Sequence, residues 1–171
     1  MNTAANRGKY AESELKKYLK LLESHHMDFT WNRNPDAHAA GGKFVPVAGD
    51  FQAFHKLGWA YLRNPENANT YTERQVPYQR NFIIEVKEVK HDFRLPVKNY
   101  SSDKIARIEK RVRAGTEAAV LICHWPKTEK ETWRLVPHEF FQDQSQPSWD
   151  LRRFPICDWK RELSDFLGVL P

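Results

Sequence analysis

The sequence predicts a mixed α/β fold, a central sheet with helices packed on its faces. Three observations predict it. Residues 9–24 carry an amphipathic helical stripe, residues 81–89 alternate as a strand, and a basic helix over 102–114 leads into the apolar run 118–125. A chain of 171 residues suits one globular domain spanning 1–171, and 40% hydrophobic with 13% aromatic residues supplies one core.

The elements follow in order. In the first helix, Leu15, Tyr18, Leu19 and Leu22 fall at i, i+3, i+4 and i+7, which makes one apolar stripe. Residues 31–47 are turn-rich, with Asn34-Pro35 and Gly41-Gly42, and 43–47 suggest a short strand leading to Gly49-Asp50-Phe51. Residues 56–80 read as an inserted loop or small subelement with its own aromatics. There Leu57, Trp59, Tyr61 and Leu62 suit a short helix or a loop anchor, and 64–69 suit a surface loop. Along 81–89, Phe82, Ile84 and Val86 share one face, while Ile83, Glu85 and Lys87 share the other. In the helix over 102–114, Ser101 or Ser102 can cap the start and Gly115 can end it; Ile105, Ile108 and Val112 face the core. Residues 118–125 suit a buried strand, 132–136 the next strand, 137–141 a short helix and 158–168 a last helix.

Composition excludes several classes. No apolar run approaches the length of a membrane span, and the polar N-terminus lacks the apolar stretch of a signal peptide. Cys123 and Cys157 form no CxxC pair, which argues against a disulfide framework or structural zinc and makes a reducing, intracellular setting the expectation. The net charge is +5, and the segment from Lys87 to Arg113 alone holds nine Lys and Arg against four Asp and Glu. Such a concentrated basic segment suits a phosphate backbone, or equally a solvated helix face.

Chemistry concentrates at Glu85-Val86-Lys87. Two residues apart on a strand places the carboxylate and the ammonium on one face, about 6–7 Å apart along the chain. Charge on a strand that is otherwise buried is costly unless it is paired or binds a metal. Alone, the pair also fits the solvent face of an edge strand. Asp50, after Gly49 and 35 residues before Glu85, is by itself an ordinary turn aspartate. Together, two carboxylates from neighbouring strands can hold Mg²⁺, and a lysine beside them can orient an attacking water. Glu12 adds a third carboxylate on the helical face of Leu15, Leu19 and Leu22, although a glutamate there also complements the helix dipole.

An acidic residue on one strand followed by E-x-K on the next resembles the PD-(D/E)xK nuclease superfamily. Asn6-Arg7-Gly8-Lys9-Tyr10-Ala11-Glu12 opens a helix in the manner of Holliday junction resolvases, and Ala11 to Lys16 resembles the archaeal, Hjc-like enzymes. The stretch from Phe82 to Ile122 is similar to the bacterial RecU type, with E-x-K, Glu88-Val89-Lys90, Leu95-Pro96, Asn99-Tyr100, a basic helix and an apolar strand. The resemblance covers roughly two thirds of the chain. It implies a restriction-endonuclease-like fold, a homodimer, Mg²⁺ with Mn²⁺ as a substitute, and DNA as partner. The implied reaction is paired symmetric nicking of four-way junctions to leave 5′-phosphate and 3′-hydroxyl ends. A cytoplasmic, nucleoid-associated setting in a bacterial or phage-infected cell would accompany it. Carried over, Asp50 and Glu85 are metal ligands, Val86 offers its carbonyl, Lys87 assists the water, and Glu12 completes the acidic cluster. Arg7 and Lys9 contact phosphate, and the stripe of Lys104, Arg107 and Arg111, with Lys90, binds DNA.

The sequence departs from the family pattern in three places. Gly49 stands where proline is usual, residues 56–80 lengthen the gap before E-x-K, and the segment ahead of Asp50 is short, so the RecU stalk is expected to be reduced or missing. Other functions on the same fold are a restriction-like or repair endonuclease and an inactive DNA-binding protein; an intact set of Glu12, Asp50, Glu85 and Lys87 argues against the last. The seven histidines show no HxH or HExxH spacing, so zinc is not expected, and His25-His26 reads as a helix cap. Trp31, Trp59, Tyr61 and Tyr71 suit the core or stacking on unpaired bases. Cys123 reads as a small buried hydrophobe, and His124-Trp125 is expected at the mouth of its strand.

Overall fold

The structure, a computed structural model, describes residues 9–34, 48–63, 71–90, 92–127 and 130–169, with 59–63 and 71–77 described by backbone course alone. The first helix is α1 (Lys9–His25), and its stripe Ala11, Leu15, Tyr18, Leu19 and Leu22 is buried as the spacing requires. Three strands follow, β1 (Phe29–Arg33), β2 (Phe51–Arg63) and β3 (Tyr71–Lys90). A short strand β4 (Arg94–Pro96) precedes α2 (Ser102–Arg113), then come β5 (Thr116–Trp125), β6 (Thr132–Pro137), β7 (Ser148–Asp150) and α3 (Trp159–Leu167). Short 3₁₀ turns lie at Val97–Asn99, His138–Phe141 and Leu151–Arg153.

The main sheet has the order β1-β2-β3-β5-β6. Only β3 and β5 run parallel; a parallel pair needs a crossover connection, and α2 lies in it. The other neighbours are antiparallel. This is the mixed sheet with helices on its faces that the sequence predicts. Ser101 caps α2 by accepting a hydrogen bond from the Lys104 N–H, and Gly115, at φ +89°, follows its end.

Alternation along β3 sorts the molecule into two layers. Phe82, Ile84 and Val86 point into a cluster with Phe51, Leu121, Trp133, the α1 stripe, and Trp159, Leu163 and Leu167 of α3. Ile83 and Val89 point the other way, into a cluster with Val120, Ile122, Ile105 and Ile108 of α2, and the aromatics Tyr100, Phe141 and Trp149. The pair β4 and β7 closes this second layer. Glu85 and Lys87, in phase with Ile83, therefore belong to the α2 side.

Several expectations are corrected. Trp59, Tyr61 and Leu62 lie within β2, where pairing with β3 continues through Ala60↔Val76 to Arg63↔Tyr71. A short apolar run bounded by turn residues does not by itself separate helix from strand, and the long-range partner decides. Beyond His55 and Asn81 no third strand pairs with this stretch among the described residues, so it forms a two-stranded ribbon, with register shifts at Lys56/Gly58 and Tyr61/Arg63. Val112 is 40% exposed rather than in the core. His124 is fully buried within β5 rather than at its mouth. Trp31, by contrast, takes the core placement that the sequence favoured, partly buried against the first cluster beside Phe51. The short strand expected at 43–47, the loop at 64–69 and Arg7 lie outside the described residues. No described helix is long and apolar enough to cross a membrane.

The burial difference between two residues of α2 is directly measurable. Ile108 is 1% exposed, and Ile108→Ala should cost about 2–5 kcal/mol in urea unfolding. Val112→Ala should stay within about 0.5 kcal/mol of the parent.

Candidate active site

Asp50 immediately precedes β2, whose first residue, Phe51, pairs with Ile84. Continuing that register sets Asp50 opposite Glu85. Two backbone contacts fix it there. The Asp50 N–H donates to the Ile84 carbonyl at 3.1 Å, and the Val86 N–H donates to Asp50 Oδ2 at 2.8 Å. Asn34 steadies the approach: its side-chain amide donates to the carbonyls of Ala48 and Gly49, both at 3.0 Å, and its backbone N–H donates to the Asp50 carbonyl at 2.9 Å. Gly49 has φ +74°, a region that L side chains rarely adopt, and an added Cβ would overlap the Ile83 γ2 methyl. Glycine at this position is a steric requirement.

Glu85 is fully buried, yet three charged groups surround it. Its Oε1 accepts from Lys87 Nζ at 2.5 Å and from Lys104 Nζ at 2.6 Å. Lys104 Nζ also donates to Asp50 Oδ1 at 2.9 Å, so one ammonium bridges the two carboxylates. Two lysines balance two carboxylates, which offsets part of the cost of the buried charge. Burial, with the Asp50 carboxylate beside it, still holds the Glu85 carboxyl above its ordinary range, against the opposing pull of Lys87 and Lys104. For Lys104 burial works to lower the affinity for a proton, but Glu85 and Asp50 outweigh it and the ammonium stays charged.

Lys87 is further held by Tyr100, whose ring centroid lies 5.3 Å from its ammonium. The Tyr100 hydroxyl shares a 2.6 Å hydrogen bond with His138 Nδ1. Burial, with Glu85 and Asp50 nearby, pushes the Tyr100 hydroxyl far up, so it remains protonated. Burial lowers His138 below the ordinary histidine range.

One atom is left over. Glu85 Oε2 is buried with no hydrogen-bond partner. Two convergent carboxylates from adjacent strands, one with an open oxygen, fit a hard divalent cation that takes one or two carboxylates and completes its shell with water. Asp50 and Glu85 are the residues that would hold it. Solvent reaches Asp50, Lys87 and Lys104 partially but not Glu85.

The structure brings Asp50, Glu85 and Lys87 together and leaves Glu12 apart from them. Glu12 pairs with Arg33 at 2.5 Å. Its helix packs on the sheet face of Phe51 and Ile84, whereas Glu85 points to the other. No group of three or more His, Cys, Asp or Glu able to hold a metal occurs among the described residues. Val86, expected to contribute its carbonyl, makes its described contact with Asp50 through its N–H. Lys104, expected on a DNA-binding stripe, turns its ammonium inward onto the carboxylates. Arg107 is half-buried with an unpartnered Nε, Arg111 is exposed beside Gln52 and Asn81, and Lys90 is exposed at the end of β3. Lys9 lines a shallow cleft with Glu12, Ser13, Lys16 and Arg33.

Asn34, Tyr100 and Glu88 carry structural roles that the sequence reading does not assign. Glu88 Oε1 accepts from the Ala11 N–H at 2.6 Å and so ties the first turn of α1 to β3. The periodicity of β3 places Glu88 on the α1 face, but nothing local indicates its partner.

No family model matches the chain, and no curated protein matches it. Among solved structures it is similar to a Holliday junction resolvase, Hjc, from the archaeal hyperthermophile Archaeoglobus fulgidus. The identity is 18% and the TM-score 0.49, over 86% of this chain and 92% of that one.

The lowered His138 sets a sign for pH dependence. Unfolded histidine takes up a proton near pH 6.5, whereas buried His138 does so only at lower pH. Its contribution to stability is therefore present above about pH 6.5 and is lost as the pH falls toward the folded value. His138→Gln should lose less stability than the parent between pH 7 and pH 5 in denaturant titrations, and an unchanged slope would contradict this.

Proposed function

We propose that this chain is a divalent-cation-dependent DNA endonuclease of the PD-(D/E)xK type, and that branched four-way junctions are its substrate. The observation that carries this reading is the convergence of Asp50, Glu85 and Lys87 on one partly open patch, with Glu85 Oε2 unpartnered. The sequence resemblance around Arg7–Glu12 and Phe82–Arg113 supports the narrower choice of junctions, and paired symmetric nicks would follow from a homodimer. A restriction-endonuclease-like description suits the mixed sheet with its two carboxylates on adjacent strands.

Bound at Asp50 and Glu85, Mg²⁺ or Mn²⁺ would supply Lewis-acid stabilisation and a water activated for attack. The remaining work falls to the chain. Val86 and Ile84 hold Asp50 in register with Glu85. Lys87, braced between Glu85 and the Tyr100 ring, presents an ammonium to the negative charge that grows on the phosphorus centre as water adds and the 3′-oxygen departs. Because its bracing groups are buried, that ammonium needs little reorganisation during the reaction. Exposed Lys90 and Arg111, with Lys9 at the α1 cleft, are cations for the flanking phosphates.

The test compares a synthetic four-way junction, a linear duplex and a single strand, each with Mg²⁺ or EDTA. The expected result is nicking of the junction with Mg²⁺ and none with EDTA. No cleavage of any substrate with Mg²⁺ or Mn²⁺ would remove the nuclease reading. Equal cutting of linear duplex would remove the junction reading alone. Asp50→Asn keeps an oxygen for the Val86 N–H, so it should fold. It should lower cleavage about a hundredfold or more while leaving junction binding within about threefold, as expected for loss of a metal ligand.

A further inference from the structure

Lys104 stands in a place that calls for a separate explanation. Its ammonium lies 2.9 Å from Asp50 Oδ1 and 2.6 Å from Glu85 Oε1, between the two carboxylates. It arrives from another element, the first turn of α2, which Ser101 fixes by accepting the Lys104 N–H. Glu85 does not need it as its only partner, because Lys87 already occupies the same oxygen at 2.5 Å. Nor does Lys104 complete the hydrogen bonding of the pair, since Glu85 Oε2 remains unpartnered and buried. An ammonium brings a single positive charge on a flexible four-carbon stem. A divalent cation would bring twice the charge and could also engage the open oxygen.

We propose that Lys104 is an internal counter-cation, which holds Asp50 and Glu85 together in the metal-free protein and gives up its place when a divalent cation enters. The inference rests on the divalent-cation reading above and deepens it. Lys104 is a positioning residue in this role: it keeps two like charges side by side until a stronger cation arrives. The Lys104 side chain is 22% exposed and that of Asp50 23%, so the ammonium is not sealed off from solvent. Metal and lysine then compete for the same two oxygens, so removing the lysine charge should strengthen metal binding.

The experiment uses the full chain without DNA. Mn²⁺ binding is measured by calorimetry for the parent and for Lys104→Met, which keeps the length of the side chain and loses its charge. Thermal unfolding of both establishes that they fold. Lys104→Met should bind Mn²⁺ about tenfold tighter or more, since a charge-assisted pair no longer has to be broken. Equal or weaker binding overturns the inference and leaves the metal site standing. Absence of binding in both folded proteins overturns the metal site as well. A second measurement uses the unaltered chain, with lysine acylation followed by mass spectrometry. Modification of Lys104 should rise several-fold at saturating Ca²⁺ relative to exposed Lys90 and Lys110. No change in that ratio while Ca²⁺ binds would overturn the proposal.

Discussion

The buried carboxylate of Glu85 is the constraint around which the rest of the molecule is arranged. It sits at zero exposure in the middle of a strand whose neighbours are Phe82, Ile83, Ile84 and Val86. An unpaired carboxylate there would cost several kcal/mol, enough to consume much of a small domain's stability. Two cations compensate it, and each comes with structural demands. Lys87 needs β3 to continue in register past Glu85, and it needs the Tyr100 ring to limit its motion. Lys104 needs α2 to begin where it does, which in turn depends on the Ser101 cap and on Ile105 and Ile108 seating the helix. The polar centre thus dictates where a basic, amphipathic helix must lie.

β3 is the strand through which both layers communicate with that centre. Its even-numbered side chains anchor α1 and α3, and its odd-numbered ones build the site and meet α2. Glu88 extends the even series with a charged side chain that engages the α1 backbone instead of the apolar cluster. One strand accordingly carries a carboxylate for chemistry on one face and a carboxylate for architecture on the other, three residues apart. The parallel pairing with β5 buries this strand on both sides, which explains why so little of Glu85 reaches water.

How much of this was legible in the sequence varies with the range of the interaction. Period-two alternation over 81–89 assigns Glu85 and Lys87 to one face and Phe82, Ile84 and Val86 to the other, and the structure agrees. Asp50 and Glu85 are expected from neighbouring strands, and Asp50 does lie across from Glu85, but it leads into β2 rather than closing the strand expected over 43–47; the 35-residue spacing carries no register. Trp59, Tyr61 and Leu62 were ambiguous because the bulge near Gly58 interrupts alternation and only pairing with β3 identifies them as strand. Val112 continues the helical stripe of Ile105 and Ile108, but α2 has run past the surface that buries them. Glu12 follows its predicted helical face faithfully, yet which side of the sheet a helix covers is a tertiary choice that local sequence does not encode. Lys104 was recognisable as one of a basic stripe; its turn toward the carboxylates depends on contacts 19 and 54 residues away. The three-residue strands β4 and β7 are too short to carry a periodic signal.

Gly49 has a consequence for how the site can vary. Its backbone conformation lies outside the range of proline, which is held near φ −65°, and Ile83 occupies the space that any Cβ would need. What the site needs ahead of the aspartate is therefore the path of the chain, a turn tight enough to set Asp50 against Val86, and not a side chain. Shortening Ile83 would clear the space for a Cβ yet leave the φ +74° strain untouched, so the glycine is held in place twice, once by its own backbone and once by a side chain of the neighbouring strand.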